Sequence, residues 1–172
     1  MKKAISLVLL LVLLIGVITS CSKRPVFEDV KYEEEGLRFY LPNVMDREYV
    51  EGYQFYFSGR ATNVIFSAMK LTDEFLEKVE LEPGTDAKTY VDTIIQRRNL
   101  DKTKLYYKHY EESGQYNFRY NYVSEDGFEM FFYVVVIGPP DNMWYVEMCC
   151  PADESGEYAD TFDVWRRSIA TY

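Results

Sequence analysis

Histidine is almost absent from this chain. Of its 172 residues only His109 is a histidine, and only Cys21, Cys149 and Cys150 are cysteines. Any imidazole-based nucleophilic triad must therefore use His109, and no Gly-x-Ser-x-Gly turn supplies a serine for it. His109 lies between Lys108 and Tyr110 in a predicted strand and reads as an edge or surface residue. Zinc needs spaced cysteine and histidine ligands, which one histidine and one adjacent cysteine pair do not provide. The repeated aspartates of a calcium loop are missing too, and Glu125-Asp126-Gly127 reads as a hairpin turn with glycine at positive φ. Asp153, Glu154 and Glu157 fit the start of a helix, where acids favour the dipole, and no carboxylate pair is singled out for glycoside hydrolysis. Positive charge is also scarce: 19 Lys and Arg stand against 28 Asp and Glu. A chain this acidic has no general electrostatic attraction to nucleic acid or to anionic lipid. The expectation is a protein without metal, cofactor or catalysis.

A long apolar run is lacking everywhere except at the start, MKKAISLVLLLVLLIGVITSC. Lys2 and Lys3 come first, then the apolar stretch 4–18, then Thr19, Ser20 and Cys21. At 15 residues the stretch falls short of the roughly 20 that span a bilayer. Positive, apolar, small and then cysteine is the order of an export signal that ends at a lipid-attachment site. Ile18-Thr19-Ser20-Cys21 resembles the bacterial lipobox. That resemblance implies cleavage after residue 20 and a diacylglyceryl thioether on Cys21, anchoring the chain to the extracytoplasmic face of a membrane. The envelope of a host with one membrane or two would fit equally. Two or three acyl chains at about 0.8 kcal/mol per buried methylene make a lasting anchor. Loss of residues 1–20 leaves 152 residues and takes the formal net charge from −9 to −11, since the lost segment carries two lysines and no acid.

Residues 22–36 have no apolar periodicity and contain Glu33-Glu34-Glu35, so 21–36 reads as a lipidated cysteine and a flexible tether. Such a tether reaches about 50 Å at most. The rest, 37–172, reads as one domain. Leu37 to Pro42 alternates as a strand, and 49–58 and 63–71 follow as two more. Thr72 is placed to cap a short helix over 72–79. After Pro83-Gly84, Ala87, Tyr90, Val91, Ile94 and Ile95 share one face of a helix that ends near Arg97-Arg98-Asn99. Four strands joined by short turns, 104–111, 116–123, 128–137 and 143–149, make an antiparallel meander. A last helix over about 155–171 carries the stripe Tyr158, Phe162, Trp165 and Ile169.

These elements predict an α+β domain, an antiparallel sheet of about seven strands with helices packed on it. A first strand ending Tyr40-Leu41-Pro42, a hairpin, a helix, a four-strand meander and a final helix through Phe162 to Ile169 together resemble the PsbP-like (DcrB-like) superfamily. The resemblance covers about residues 30–172. It implies an α-β-α sandwich and, for most bacterial members, a non-catalytic accessory or binding role.

Two features remain as candidate sites. Tyr116, Phe118, Tyr120 and Tyr122 share one face of a single strand. Aromatic rows favour a sheet covered by a helix, yet any uncovered part would form a tyrosine-rich surface for a peptide, a glycan or a partner protein. Cys149 and Cys150 are adjacent, with Cα atoms about 3.8 Å apart, below the usual disulfide span of about 4.4–6.8 Å. A disulfide between them would be strained and easily reduced, which supports a redox or ligand-switch role. Alternatively the two side chains point to opposite faces of the last strand and are buried. The expected function is a membrane-anchored, non-catalytic binding or accessory domain whose partner is another envelope protein or a small extracytoplasmic ligand.

Overall fold

The computed structural model describes residues 28–172 apart from positions 61 and 104; the expected signal segment and lipidation site at Cys21 lie outside the described residues. The chain opens with β1 (Asp29–Glu34), β2 (Leu37–Pro42), β3 (Met45–Arg47), β4 (Phe55–Gly59) and β5 (Ile65–Lys70). Two helices follow, α1 (Asp73–Lys78) and α2 (Ala87–Arg97). Next comes the meander β6 (Tyr106–Tyr110), β7 (Gln115–Val123), β8 (Glu129–Ile137) and β9 (Trp144–Pro151). Helix α3 (Ser155–Ser168) and β10 (Ala170–Thr171) close the chain.

Seven strands form one antiparallel sheet in the order β3-β4-β5-β9-β8-β7-β6, which is the expected α+β architecture. A second sheet of three strands, β1-β2-β10, was not expected. It forms from two stretches that carry little periodicity. Only Tyr32 of β1 is drawn inward, its ring 5.3 Å from Phe39 and 4.7 Å from Phe57, so the strand shows no alternation to read. The tether predicted over 21–36 is corrected accordingly, because 29–34 is strand. Glu35 and Gly36 turn β1 into β2 at φ +54° and +89°, the positive-φ pair of a two-residue hairpin. A side chain at position 36 would meet Asn142, whose amide bonds the carbonyls of Gly36 and Tyr172 at 3.3 and 3.4 Å. The last helix stops at Ser168 rather than near 171, and the final residues pair with Arg38 and Leu37 of β2.

Helix caps agree with the sequence. The Thr72 hydroxyl accepts from the Phe75 amide at 3.2 Å, and the Asp86 carboxylate from the Thr89 amide at 2.8 Å. The expected strand over 49–58 is shorter and is preceded by β3, while Gly127 takes the predicted positive φ.

Two cores flank the large sheet. On one face β2 and α3 bury Phe39, Phe57, Phe66, Trp144, Phe162 and Trp165. On the other, α1 and α2 bury Leu76, Tyr90, Val91, Phe118, Val134 and Val136. The Trp144 indole N–H donates to Asn142 at 3.1 Å.

The first core contains a polar ladder where β7 meets α3. The Gln115 amide donates to the carbonyls of Arg166 and Ile169 at 3.2 and 2.9 Å, ending the helix, and its oxygen accepts from Arg166 at 2.8 Å. Arg166 also donates to Asp163 at 3.0 Å, and its guanidinium lies 3.8 Å from the Tyr110 ring centre. Arg119 sits between the rings of Tyr106 and Tyr133 at 4.1 and 4.4 Å, and the Tyr133 hydroxyl donates to Asp163 at 3.0 Å.

Burial would raise the Asp163 carboxyl, but hydrogen bonds from Arg167, Arg166 and Tyr133 overcome it and hold the group at about 2. The folded form is thus favoured while Asp163 is ionised. That stabilisation is complete above the unfolded carboxyl range near pH 4 and is lost as pH falls towards 2. Asp163→Asn is expected to destabilise the protein by about 1–2 kcal/mol at pH 7 and by almost nothing at pH 2, as read by urea unfolding at the two pH values.

Candidate functional site

Strand β9 lies inside the large sheet, between β5 and β8, in unbroken register with both. Its residues alternate between the two cores: Trp144, Val146, Met148 and Cys150 face α3, while Tyr145, Glu147 and Cys149 face the α1–α2 side. Glu147 is the one residue of the eight that is not fully buried, and its side chain still has only 14% exposure. A carboxylate here must be taken largely out of water, which is costly unless paired.

Its pairing is thin. The Tyr145 hydroxyl donates to Oε2 of Glu147, and Arg98 reaches the same oxygen at 4.0 Å. Neither contact uses Oε1. Arg98 follows α2 as its C-terminal cap, with the side chain over the Tyr120 ring at 5.0 Å. Burial pushes the Glu147 carboxyl above its ordinary value, against the opposing pull of Tyr145 and Arg98. Burial likewise keeps the Tyr145 and Tyr90 hydroxyls protonated far above neutrality.

Glu147 and Arg98 together line two hollows. One, of about 250 Å³, lies between α1, α2 and the sheet and is walled by Tyr53, Met69, Phe75, Leu81, Tyr90 and Ile94 among others. The other, of about 460 Å³, lies past the end of α2 and is walled by Leu100, Tyr120, Tyr122, Val123 and Phe132. The result is a largely apolar groove with one acid and one base where its halves meet. A more polar hollow of about 600 Å³ lies at the far sheet edge, between β6 and the end of α3, and includes His109, Lys108, Arg166 and Arg167.

The predicted tyrosine row enters this groove at one end only. Phe118 is fully buried and Tyr120 is 7% exposed, both in the core beneath α2. Tyr116 is half-buried and stacks on His109 at 4.1 Å, whereas Tyr122 is 53% exposed. The Tyr120 hydroxyl is buried and has no hydrogen-bond partner among the described residues. Covered core and open surface thus divide the row at Tyr120.

Cys149 and Cys150 are both free and buried, on opposite faces of β9. Burial, the larger cause in each case, pushes both thiols up to about 12, Cys149 helped by Glu147 and Cys150 by Glu154 and Asp153. The thiolate that redox chemistry requires is then about one part in 10⁵ at pH 7.

Glu147 and Arg98 were not singled out from the sequence. A signal for Glu147 was present, a lone charge inside the apolar run Met143 to Cys150. No sequence signal brings Arg98, Tyr53 and Tyr90 to it, because they come from other elements.

No family model and no curated protein matches this chain. Its fold is similar to that of cyanobacterial PsbP (CyanoP) from Synechocystis, with TM-score 0.59 and 16% identity over 89% of this chain and 98% of that one. It is also similar to the Ran-binding protein Mog1p of Saccharomyces cerevisiae, with TM-score 0.55 and 9% identity over 84% and 96% of the two chains. At these identities the likeness is one of fold, and the fold is PsbP-like.

Because its folded-state carboxyl is raised, Glu147 opposes folding increasingly as pH climbs from the unfolded value of 4.5 through the folded one. Glu147→Gln is expected to raise the melting temperature at pH 7.5 and to change it little at pH 4, as read by differential scanning calorimetry. The two buried thiols are expected to react with a disulfide reagent at pH 7.5 only as fast as the protein unfolds, and both at once in denaturant.

Proposed function

We propose that this chain is a lipid-anchored, extracytoplasmic binding domain, held to a bacterial membrane through Cys21, whose groove beside Glu147 receives a partner without catalysing a reaction. The observation that carries the reading is the groove itself. A carboxylate is kept in a central strand at a cost to stability, next to two apolar hollows, with tyrosines and an arginine around it. Its surroundings offer binding groups rather than an activated nucleophile: the neighbouring thiol is held protonated, and the lone histidine lies in another hollow. The yeast protein of similar fold is Ran-binding, which supports a binding role at the level of fold analogy alone.

The order of residues 1–21 supports the anchor. With β1 starting at Asp29, the chain from Cys21 to the folded domain spans about 28 Å at most, little more than half the reach of the tether first expected. A domain of this acidity is repelled by anionic headgroups, so the short link holds it near the membrane without laying it flat. An envelope protein or a small extracytoplasmic ligand is then the partner, and nucleic acid is not.

In the bacterial host, the wild-type chain is expected to incorporate a clickable palmitate analogue and to sediment with membranes. Cys21→Ala is expected to lose both properties; retention of either by the variant overturns the anchor. Photocrosslinking in intact cells from a site at Tyr122 is expected to trap one specific partner, and Val123→Arg, on the groove wall, to cut its yield at least about fivefold. An unchanged crosslink in that variant overturns the assignment of the groove.

A further inference from the structure

Glu147 and Tyr120 present the same anomaly from two sides of the groove. A threonine or valine would fill the Glu147 position in a central strand at lower cost. A phenylalanine would serve for the ring of Tyr120, which stacks between Phe118 and Phe132 at 5.9 and 5.0 Å while its buried hydroxyl goes unpartnered among the described residues. Both residues line the second hollow, although the Tyr120 hydroxyl itself is sealed from it, and Arg98 lies over the Tyr120 ring and beside Glu147. At 4.0 Å the Arg98 contact is at the limit of an ion pair and does not offset the desolvation of Glu147. Two polar groups open to the groove are therefore loosely paired: a carboxylate with one unengaged oxygen and a half-exposed guanidinium.

Their charges narrow what can fill them. A simple cation would be drawn to Glu147 but repelled by Arg98 and by Arg97 in the same hollow. A simple anion would meet Arg98 but also the carboxylate next to it. A purely apolar molecule would take water from the carboxylate and the guanidinium and pair neither, at the cost that buried polar groups carry. A zwitterion matches the pair, and an apolar side chain matches the walls. Resting on the binding reading above, we propose that the groove takes a small apolar zwitterion, an α-amino acid with an aliphatic or aromatic side chain. Its ammonium donates to Oε1 of Glu147, and its carboxylate accepts from Arg98. Its side chain enters the hollow walled by Tyr53, Phe75 and Leu81. That hollow, at about 250 Å³, has room for one such side chain.

The test uses the chain purified from membranes in detergent, titrated calorimetrically with L-phenylalanine and L-leucine. At least one of the two is expected to bind. N-acetyl-L-phenylalanine, which lacks the ammonium, and L-phenylalanine amide, which lacks the carboxylate, are each expected to bind at least about tenfold more weakly. Glu147→Gln and Arg98→Ala are expected to lose about tenfold, with each variant checked for cooperative unfolding. Failure of both amino acids to bind, or equal binding by the N-acetyl compound, overturns the proposal without recourse to any variant. If the amino acids fail while the groove-dependent crosslink persists, the ligand class is wrong and the binding domain stands. If both fail, the groove is not a binding site.

Discussion

The structure turns on the burial of β8 and β9 from both sides at once. A strand inside a sheet that is covered on both faces has no solvent side, so every alternate residue enters one core or the other. Here β2 and α3 cover one face and α1 and α2 the other, and the strands between them read Phe-Tyr-Val-Val-Val-Ile and Trp-Tyr-Val-Glu-Met-Cys-Cys. In such a place Cys149 and Cys150 are small buried apolar groups on opposite faces. The same constraint makes Glu147 conspicuous. A charge that would pass unnoticed on an edge strand becomes, in β9, a group that the rest of the molecule has to accommodate.

The two faces of the sheet hold their polar groups differently. On the α3 side, Gln115, Asp163, Arg166 and Tyr133 bond one another, and the helix end is closed by the same amide. That arrangement fixes where α3 sits on β7, while Asn117 Oδ1 and Arg119 Nε on the same face are buried without a partner among the described residues. On the α2 side, Glu147 and Tyr120 are left with less than they can bond. The helix ends at Arg97 before it crosses the whole sheet, and the turn at Asn99, with φ +52°, carries the chain away. What α2 fails to cover becomes the second hollow. A bonded polar network holds α3 to the sheet; a loosely paired carboxylate beside open volume is where a ligand has something to gain.

Much of the architecture was legible in the sequence because it is local. Hairpin turns such as Ser124 to Gly127, the Thr72 and Asp86 caps, and the 3.6-residue stripe of α2 each follow from residues within a few positions of one another. The β1-β2-β10 sheet was not legible, since β1 offers only Tyr32 to the core and β10 is two residues long. Those strands exist because β2, with Leu37, Phe39 and Leu41 buried, offers both of its edges to whatever extended chain lies alongside. The tyrosine row shows the same limit. Period-two alternation put Tyr116, Phe118, Tyr120 and Tyr122 on one face, but only the placement of α2 separates buried Phe118 from exposed Tyr122.

By itself the sequence determined the order of elements, the strand faces and the chemical poverty of the chain in histidine and cysteine. It also set out the lipobox-like run to Cys21, a feature of linear order that needs no fold. Tertiary structure alone decided which carboxylate matters. Glu147 is one of 28 acids until β5 and β8 flank its strand and α2 brings Arg98 beside it and Tyr90 into the same hollow. The reason is that desolvation and pairing depend on what lies within a few ångströms in space. Residues 53, 90, 98, 120 and 147 become neighbours only once both cores have closed.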